Sequence, residues 1–413
     1  MSDTTVDNSP VGDPSLDNPS LGNPVTPPDT IGMLGGGQLG KYALMAANAM
    51  GYRTIVVDPD PGAPAGVVAN EHLVATYDDD AALDRLAVTC AVVTTEFENA
   101  PAGALDRLAR GTRVAPSAAN MSVAQDRVAE KNFMVDHAIA VGPFAALDAS
   151  SNDAARQRAA DIARRGAVLK TTRLGYDGKG QRRIDGAAGL MDAFAALGEV
   201  DCIVESLLEL RSEVSVLVAR GAQGNSVTWP VAENIHVDGI LDLSIVPARV
   251  DVAIADEAVS IAVSVADALN FVGVLAVEMF VVDDDHPGSE GAPKLLVNEI
   301  APRPHNSGHW TLDASVTSQF EQQVRAVCGV GLGSTDMTTP GVAMVNLLGD
   351  LWFAEGDEVV EPDWAAALAD PDATLHLYGK AAPRPARKMG HLTVTAGSPT
   401  EAADRALALR DSL

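Results

Sequence analysis

Two apolar segments, each interrupted by a single glutamate, place the strongest constraint on how this chain folds. The first spans residues 273–282 and contains Glu278, and the second spans 295–301 and contains Glu299. The residues between them are rich in Asp, Gly and Pro, a composition typical of turns. Because both glutamates lie equally far from the midpoint of that turn, the pattern predicts an antiparallel hairpin with Glu278 opposite Glu299.

The two opposed glutamates predict a cation site. Facing side chains in an antiparallel pair lie roughly 5 Å apart, and two carboxylates at that distance repel unless they share a proton or a cation. Oxygen ligands favour Mg²⁺, which commonly binds through one or two carboxylates and substrate phosphates. The alternative is that Glu278 and Glu299 mark the solvent face of an edge hairpin, since a long turn does not set the register.

Composition restricts the class of partner. The chain has 413 residues, enough for two to four domains, and a net charge of −27, which argues against nucleic acid or an anionic membrane as partner. Cys90, Cys202 and Cys328 lack CxxC spacing, so they favour neither a zinc site nor disulfides, and a cytoplasmic location fits best. Residues 1–29 contain no Lys, Arg or His and are predicted to form a disordered acidic tail.

A glycine-rich segment follows the first predicted strand. Gly35, Gly37 and Gly40 satisfy the GxGxxG spacing of dinucleotide-binding proteins, and the acidic Asp58 follows about twenty residues later. Such glycines allow backbone N–H groups to approach an anion at the N-terminus of a helix. A nicotinamide-dependent oxidoreductase is therefore one possible function.

Two more glutamates follow a predicted strand at residues 91–95. Glu96 and Glu98 would lie at the carboxyl edge of the same sheet, where open α/β sheets bind their ligands. The alternative, that they cap a helix beginning near Pro101, is equally compatible with the sequence.

A second glycine-rich loop, residues 175–181, has Lys170 before it and Lys179 inside it. This composition suits a mobile cover for phosphates, although the GxxxxGK[ST] spacing is missing. Asp177-Gly178 is equally typical of a hairpin turn.

Glu205, Glu209 and Glu213 recur every four residues, so a solvated helix face is an alternative there. The short β-branched run at 214–218 instead favours a strand, a linker and a second strand.

A basic cluster stands out near the end of this acidic chain. Lys380, Arg384, Arg387 and Lys388 occur with no acidic residue between positions 380 and 391. The cluster favours a phosphate-binding site, and the alternative is a basic surface loop.

In chain order these motifs resemble the ATP-grasp enzymes, and within them the N5-carboxyaminoimidazole ribonucleotide synthases of purine biosynthesis. The resemblance covers about residues 31–395 through GGGQLG, TTEFEN, QDR, LKTTRLGYDGKGQ, VAENIH, VEMF, NEIAPRPHNSGHW and HLYGK…RKMGH. It implies an α/β and α+β fold class. After the tail would come a Rossmann-like domain at 30–121, a two-lobed ATP-grasp domain at 122–335 and a small β-rich domain at 336–413.

The resemblance also implies the ligand-binding residues, with Mg²⁺ as cofactor at Glu278 and Glu299. Those implied for ATP are Arg127, Lys170, Gly175, Tyr176, Asp177, Gly178, Lys179, Gly180, Gln181, Glu205, Ser206, Leu207, Leu208, Glu213, His236, Asn298 and Glu299. Those implied for 5-aminoimidazole ribonucleotide are Gln38, Leu39, Glu96 or Glu98, Asn306, Ser307, Lys380, Arg387 and Lys388. Those implied to act in catalysis are Lys170, Lys179, Asn306 and Lys380.

The implied reaction is ATP-dependent carboxylation of the ribonucleotide with bicarbonate, through carboxyphosphate, in a homodimeric enzyme. Water would destroy that intermediate, so a closing lid at the 175–180 loop is part of the expectation. A formate-using glycinamide ribonucleotide transformylase would share the ATP site, and a non-catalytic nucleotide sensor would not need Lys380 and Arg387. An oxidoreductase would have no use for the carboxylate pair.

Overall fold

A parallel sheet flanked by helices forms the first part of the protein. The computed structural model describes residues 23–175, 180–283, 293–353 and 358–413. The first elements are β1 (Thr30–Leu34), α1 (Gln38–Ala49), β2 (Arg53–Val57), β3 (Glu71–Leu73), α2 (Asp80–Thr89), β4 (Val92–Thr95), α3 (Ala102–Leu108) and β5 (Arg113–Val114). The strands lie in the order β3-β2-β1-β4-β5, and every pairing is parallel. The predicted Rossmann-like arrangement is therefore present.

A small antiparallel sheet comes next. Two helices, α4 (Ala118–Ala124) and α5 (Arg127–Asp136), precede it and pack against the strand Pro293–Ala301 of the large sheet. The elements of the small lobe are β6 (Phe144–Leu147), α6 (Asp153–Ile162), β7 (Ala167–Thr171), β8 (Gln181–Ile184), α7 (Leu190–Ala196) and β9 (Cys202–Ser206). The strands lie in the order β6-β9-β7-β8, and all pair antiparallel. Short 3₁₀ turns at Ala163–Arg165 and Ala187–Gly189 complete this lobe.

A nine-stranded antiparallel sheet organises the rest of the described chain. Its elements are β10 (Leu210–Arg220), β11 (Ser226–Thr228), β12 (Ala232–Val237), β13 (Ile240–Val246), α8 (Val252–Ala268), β14 (Gly273–Asp283), β15 (Pro293–Ala301), α9 (Thr311–Ala314), α10 (Gln319–Cys328), β16 (Gly341–Leu348), α11 (Trp364–Ala367), β17 (Ala373–Leu377), β18 (Lys388–Ala396) and α12 (Pro399–Asp411). The strands lie in the order β15-β14-β10-β12-β13-β16-β18-β17, and β11 pairs with β10. Helix α8 covers one face with a buried cluster that includes Val265, Phe271 and Leu275.

The segment with four-residue glutamate spacing is extended, as the β-branched run predicts. Glu205 lies in β9, whereas Glu213 lies in β10, and the linker between these strands separates the two sheets. The solvated-helix alternative is therefore wrong. The β-branched side chains of β10 are buried on both sheet faces, which outweighs the charge spacing.

The central hairpin has the predicted register. Strands β14 and β15 pair antiparallel, and Glu278 is the direct partner of Glu299. A β-bulge follows immediately, between Glu278 and Met279. Such bulges bend a strand and redirect side chains, here beside the two carboxylates. The turn at 284–292, on which the prediction of the register rested, lies outside the described residues.

The expected end of the N-terminal tail differs from the structure. The tail was expected to end at residue 29, but Val25 is buried, its N–H donates to Cys328 O at 2.8 Å, and its carbonyl accepts from Tyr52 Oη at 2.9 Å. Residues 23–29 therefore belong to the fold. In the C-terminal region, β16 pairs with β13 and extends the large sheet. The boundary at residue 335 stays a prediction.

No helix within the described ranges is long and apolar enough to cross a membrane.

Candidate functional site

One large cavity lies where the three sheets meet. It has a volume of about 960 Å³ and contains residues from the first sheet, the small lobe and the nine-stranded sheet. The candidate residues that line it are Gln38, Leu39, Glu96, Glu98, Arg127, Lys170, Gly175, Gln181, Glu205, Ser206, Leu207, Leu208, Glu213, His236, Glu278, Asn298, Glu299, Asn306, Lys380, Arg387 and Lys388. Residues distant in sequence therefore meet at one site.

Two candidate residues do not line this cavity. Gly180 ends the glycine-rich loop, where it accepts a hydrogen bond from the Thr171 N–H. Ser307 is buried behind His305, and its hydroxyl lies 2.9 Å from both Ser215 Oγ and His305 Nδ1. Ser307 is thus placed to support the wall rather than to contact a ligand. Tyr176, Asp177, Gly178 and Lys179 lie outside the described residues.

The GxGxxG loop is occupied by two acidic side chains of the protein itself. Gly36 N–H donates to Asp58 Oδ2 at 2.7 Å, while Gly37 and Gly40 donate to the two carboxylate oxygens of Glu96 at 2.6 and 2.8 Å. These are the backbone donors that a dinucleotide pyrophosphate would require. The dinucleotide-binding interpretation is therefore wrong for this loop, because its anion is internal.

Glu96 consequently caps helix α1 rather than the helix near Pro101. Burial raises the pKa of Glu96, while the Gly40 and Gly37 N–H groups act to lower it. Helix α3 begins after Pro101 without any side-chain cap. Sequence reasoning placed Glu96 at the carboxyl edge of the first sheet. It did not indicate that the neighbouring glycine-rich loop is the partner of this carboxylate.

The carboxylates of the hairpin are each held by a basic side chain. Glu299 Oε2 lies 2.6 Å from Arg127 Nη1, and Glu278 Oε1 lies 2.9 Å from His305 Nε2. Burial acts to raise the pKa of Glu299, but Arg127 and Lys170 outweigh it and bring the pKa to about 2. Glu299 is therefore anionic at neutral pH and faces the cavity with 37% of its side chain exposed.

A buried polar chain supports His305 from behind. Beyond Ser307, Ser215 Oγ accepts from Asn234 Nδ2 at 2.8 Å, and Asn234 Oδ1 accepts from Ser244 Oγ at 2.8 Å. Buried polar groups that are linked in this way fix one geometry, because a broken link leaves a group unsatisfied. The orientation of His305 against Glu278 is thus set by the sheet.

Two lysines from different elements share the carboxylate of Glu205. Lys131 Nζ lies 3.1 Å from Oε1, and Lys170 Nζ lies 2.5 Å from Oε2. Burial acts to raise the pKa of Glu205, but the two lysines lower it overall. Sequence reasoning missed Lys131, although it follows the QDR motif by one helical turn.

Sequence reasoning also missed the acid Glu130, which lies in the same wall. Burial raises its pKa to about 8, and its Oε1 accepts the Ile300 N–H at 2.6 Å. Nearby, His236 Nδ1 lies 3.0 Å from Glu213 Oε2, which raises the pKa of His236 against the effect of burial.

In the described ranges, eight lysines and arginines line this cavity: Arg127, Lys131, Lys170, Arg303, Lys380, Arg384, Arg387 and Lys388. Lys380 Nζ donates to Lys388 O at 2.6 Å, and Arg387 Nη1 donates to Ala382 O at 2.8 Å. Arg303, another residue missed from the sequence, pairs with Glu98. The basic cluster is thus part of the cavity wall rather than a remote surface loop.

Asn306 adds polar capacity to the same wall. It is buried, and neither its Oδ1 nor its Nδ2 has a hydrogen-bond partner among the described residues. Buried amides normally satisfy both groups, so Asn306 is suited to meet a ligand that can donate and accept.

A group of histidines packs behind the cavity. His376 Nε2 lies 2.9 Å from Asp313 Oδ2, and its ring stacks on His391 at 4.4 Å, which in turn stacks on His309 at 4.7 Å. Burial lowers the pKa values of His309 and His391 well below the usual range, so both are neutral.

Three family models match the chain in order. They describe the ribonucleotide synthetase preATP-grasp domain at residues 29–125, the ATP-grasp domain at 132–320 and the phosphoribosylaminoimidazole carboxylase C-terminal domain at 342–405. The fold and the cavity between its sheets thus define the class of ATP-grasp proteins.

Known proteins narrow this class to one family. The chain is 44% identical over 369 residues to N5-carboxyaminoimidazole ribonucleotide synthase of Brucella melitensis, covering 89% of this chain and 96% of that protein. The Bacillus subtilis protein of that name is 43% identical, with 89% and 92% covered. The chain belongs to the N5-carboxyaminoimidazole ribonucleotide synthase family.

Solved structures agree with this assignment. An ADP complex of N5-carboxyaminoimidazole ribonucleotide synthetase superimposes with a TM-score of 0.84 at 37% identity, covering 94% of this chain and 98% of that chain. The Aspergillus clavatus synthase in complex with ADP and 5-aminoimidazole ribonucleotide gives 0.80 at 27% identity, covering 93% and 99%.

We expect Glu96→Gln to destabilise the protein by about 1–3 kcal/mol, because an amide NH₂ would face one of the two loop N–H donors. Urea denaturation measures the change in the free energy of unfolding. Glu71→Gln is the control, since Glu71 forms an exposed pair with Arg85 and such pairs contribute about 0–1 kcal/mol. Equal stability of Glu96→Gln and wild type would contradict the internal cap.

Proposed function

We propose that the protein carboxylates 5-aminoimidazole ribonucleotide with bicarbonate at the expense of ATP, giving N5-carboxyaminoimidazole ribonucleotide, ADP and phosphate in purine biosynthesis. The single observation that carries this proposal is the composition of the cavity. It brings the carboxylate pair, Lys170 of the small lobe and the C-terminal basic cluster to one place. Relatives named for this activity, and neighbours solved with ADP and with 5-aminoimidazole ribonucleotide, support it.

The ATP site of this proposal lies between the small lobe and β15. Lys170 and Arg127 supply positive charge for the phosphates, while Glu205, Ser206, Leu207 and Leu208 form the linker wall for the base. Glu213, held beside His236, would accept hydrogen bonds from ribose hydroxyls. The predicted contacts of residues 176–179 remain predictions.

The residues present fit Mg²⁺. Glu278 and Glu299 offer carboxylate oxygens from directly paired positions, the donor type that Mg²⁺ prefers. When bound, the ion would offset charge on the ATP phosphates during transfer. Arg127 and His305 hold the two carboxylates in place, and Arg127 offsets the charge of Glu299.

The ribonucleotide site of this proposal lies on the side of Gln38, Glu98 and the C-terminal cluster. Arg387 can clamp a phosphate bidentately, whereas Lys380 acts as a point charge. Asn306, whose amide has no hydrogen-bond partner in the described part of the chain, would meet the reacting groups. Glu96 is committed to the glycine loop, so Glu98, which pairs with Arg303, is the better candidate for substrate contact.

The proposed chemistry has two steps. A bicarbonate oxygen attacks the γ-phosphorus, the bond to the β,γ-bridging oxygen breaks, and ADP leaves with carboxyphosphate formed. The exocyclic amine then attacks the carboxyl carbon, or CO₂ released from it, while phosphate departs and the amine loses a proton. Lys170 and Arg127 offset charge in the first step, and Lys380 and Asn306 border the second.

We also propose a cytoplasmic homodimer. The three cysteines are buried free thiols, which suits a reducing compartment. The dimer rests on the family resemblance.

One coupled assay tests the reaction. ADP release is measured with bicarbonate or formate, each with and without aminoimidazole ribonucleotide. We expect the highest rate with bicarbonate and ribonucleotide together, and a carboxylated product by mass spectrometry. Faster turnover with formate would instead support a transformylase, and release that ignores both acids would contradict ligase activity.

We expect Glu299→Gln to lower kcat by several orders of magnitude, because losing a metal ligand removes several kcal/mol of charge stabilisation. The Mg²⁺ concentration for half-maximal activity should also rise. Glu233→Gln is the control, since Glu233 pairs with Arg249 on the same sheet and does not line the cavity. A folded Glu299→Gln protein with normal turnover would remove the metal assignment.

We expect Arg387→Ala to raise the KM for the ribonucleotide about ten- to a hundredfold, the effect of losing a charge-assisted contact of roughly 1.5–3 kcal/mol. The KM for ATP should stay within twofold, because Arg387 belongs to the C-terminal cluster. Steady-state kinetics with each substrate varied in turn make the comparison, and exposed Arg110→Ala serves as control. An equal loss for both substrates would contradict two separate sites.

A further inference from the structure

Lys131 is an unusual residue of the cavity wall because its charge is almost completely buried. Only 3% of the residue is exposed, and its ammonium group faces Val297 O at 3.2 Å, Asn298 O at 2.6 Å and Glu205 Oε1 at 3.1 Å. A lysine has three N–H donors, so these three acceptors use them all. Lys131 therefore has no donor left with which to bind a ligand.

Lys170 is held differently, although it shares the same carboxylate. It reaches Glu205 from β7, lies 2.5 Å from Oε2, and keeps 17% of its side chain exposed to the cavity. Its one ion pair in the described part of the chain is with Glu205. A lysine with spare donors, facing an open cavity, is able to exchange its partner for an anionic ligand.

Such an exchange would be unfavourable if Glu205 had no other cation. A buried carboxylate left without a counter-charge is strongly destabilising, and it would hold Lys170 back. Lys131 removes this obstacle, because it stays paired with the other oxygen of the same carboxylate.

We propose that Lys131 is a positioning residue of the nucleotide site, the permanent counter-charge of Glu205 that frees Lys170 to move to a phosphate of ATP. The inference rests on the proposed function and adds a role for a residue that does not touch the nucleotide. A purely structural role is the alternative, in which Lys131 only anchors the carbonyl groups of β15.

A double-mutant cycle separates the two roles. ATP binding is measured by calorimetry with Mg²⁺, without bicarbonate or ribonucleotide, for wild type, Lys131→Met, Glu205→Gln and the double variant. We expect Lys131→Met to weaken binding about tenfold, a typical effect of one charged contact. In the Glu205→Gln background the same change should have less than a twofold effect, because no carboxylate remains to retain Lys170.

Every outcome decides the question. Equal losses in both backgrounds, or no loss in either, overturn the proposal. If Lys131→Met fails to fold but the double variant folds and binds ATP as Glu205→Gln does, the counter-charge role is supported. If both fail to fold, the β15 anchor is the essential role and the proposal is wrong.

A control variant and the wild-type protein itself complete the design. Lys294→Met removes a lysine that does not line the cavity, and binding should stay within twofold of wild type. Failure of the wild-type protein to bind ATP would refute the proposed function itself, and this inference with it. Tight binding by both wild type and Lys131→Met would refute only the role of Lys131.

Discussion

The pairing of β14 with β15 is the interaction on which the rest of the site depends. It sets Glu278 directly opposite Glu299, and the bulge beside Glu278 redirects the strand there. From this pair outward, each acidic group meets a specific partner: Arg127 holds Glu299, and His305 holds Glu278. The hairpin also supplies the two carbonyl groups that accept hydrogen bonds from Lys131. Strand register, rather than any loop, thus defines the centre of the cavity.

Charge compensation explains how a chain of net charge −27 builds a site for anionic substrates. Eight of the basic residues in the described ranges converge on one cavity, so the local field there differs from that of the surface as a whole. The acids of the wall do not oppose this, because Glu205 and Glu299 are already paired with lysine or arginine. An anionic substrate can then bind when a lysine or arginine exchanges its carboxylate partner for the substrate.

The glycine-rich loop illustrates why a motif needs its structural context. GGGQLG has the spacing of a dinucleotide site, yet Asp58 and Glu96 occupy its N–H groups. The N-terminus of this helix still binds an anion, but the anion is a carboxylate of the protein itself, and the contact stabilises the fold. Asp58, whose spacing completed the dinucleotide-binding pattern, likewise accepts the Gly36 N–H.

The sequence by itself predicted an open α/β sheet in the first part of the chain, the pairing of Glu278 with Glu299, which the structure confirms, and a basic cluster near the end of the chain. These features follow from local periodicity, turn composition and charge, which are readable along the chain. Only the tertiary structure decided which partners meet. Lys131 with Glu205, Arg303 with Glu98 and Val25 with Cys328 join positions far apart in sequence. No periodic pattern encodes such pairs, because their free energy depends on burial and distance after folding.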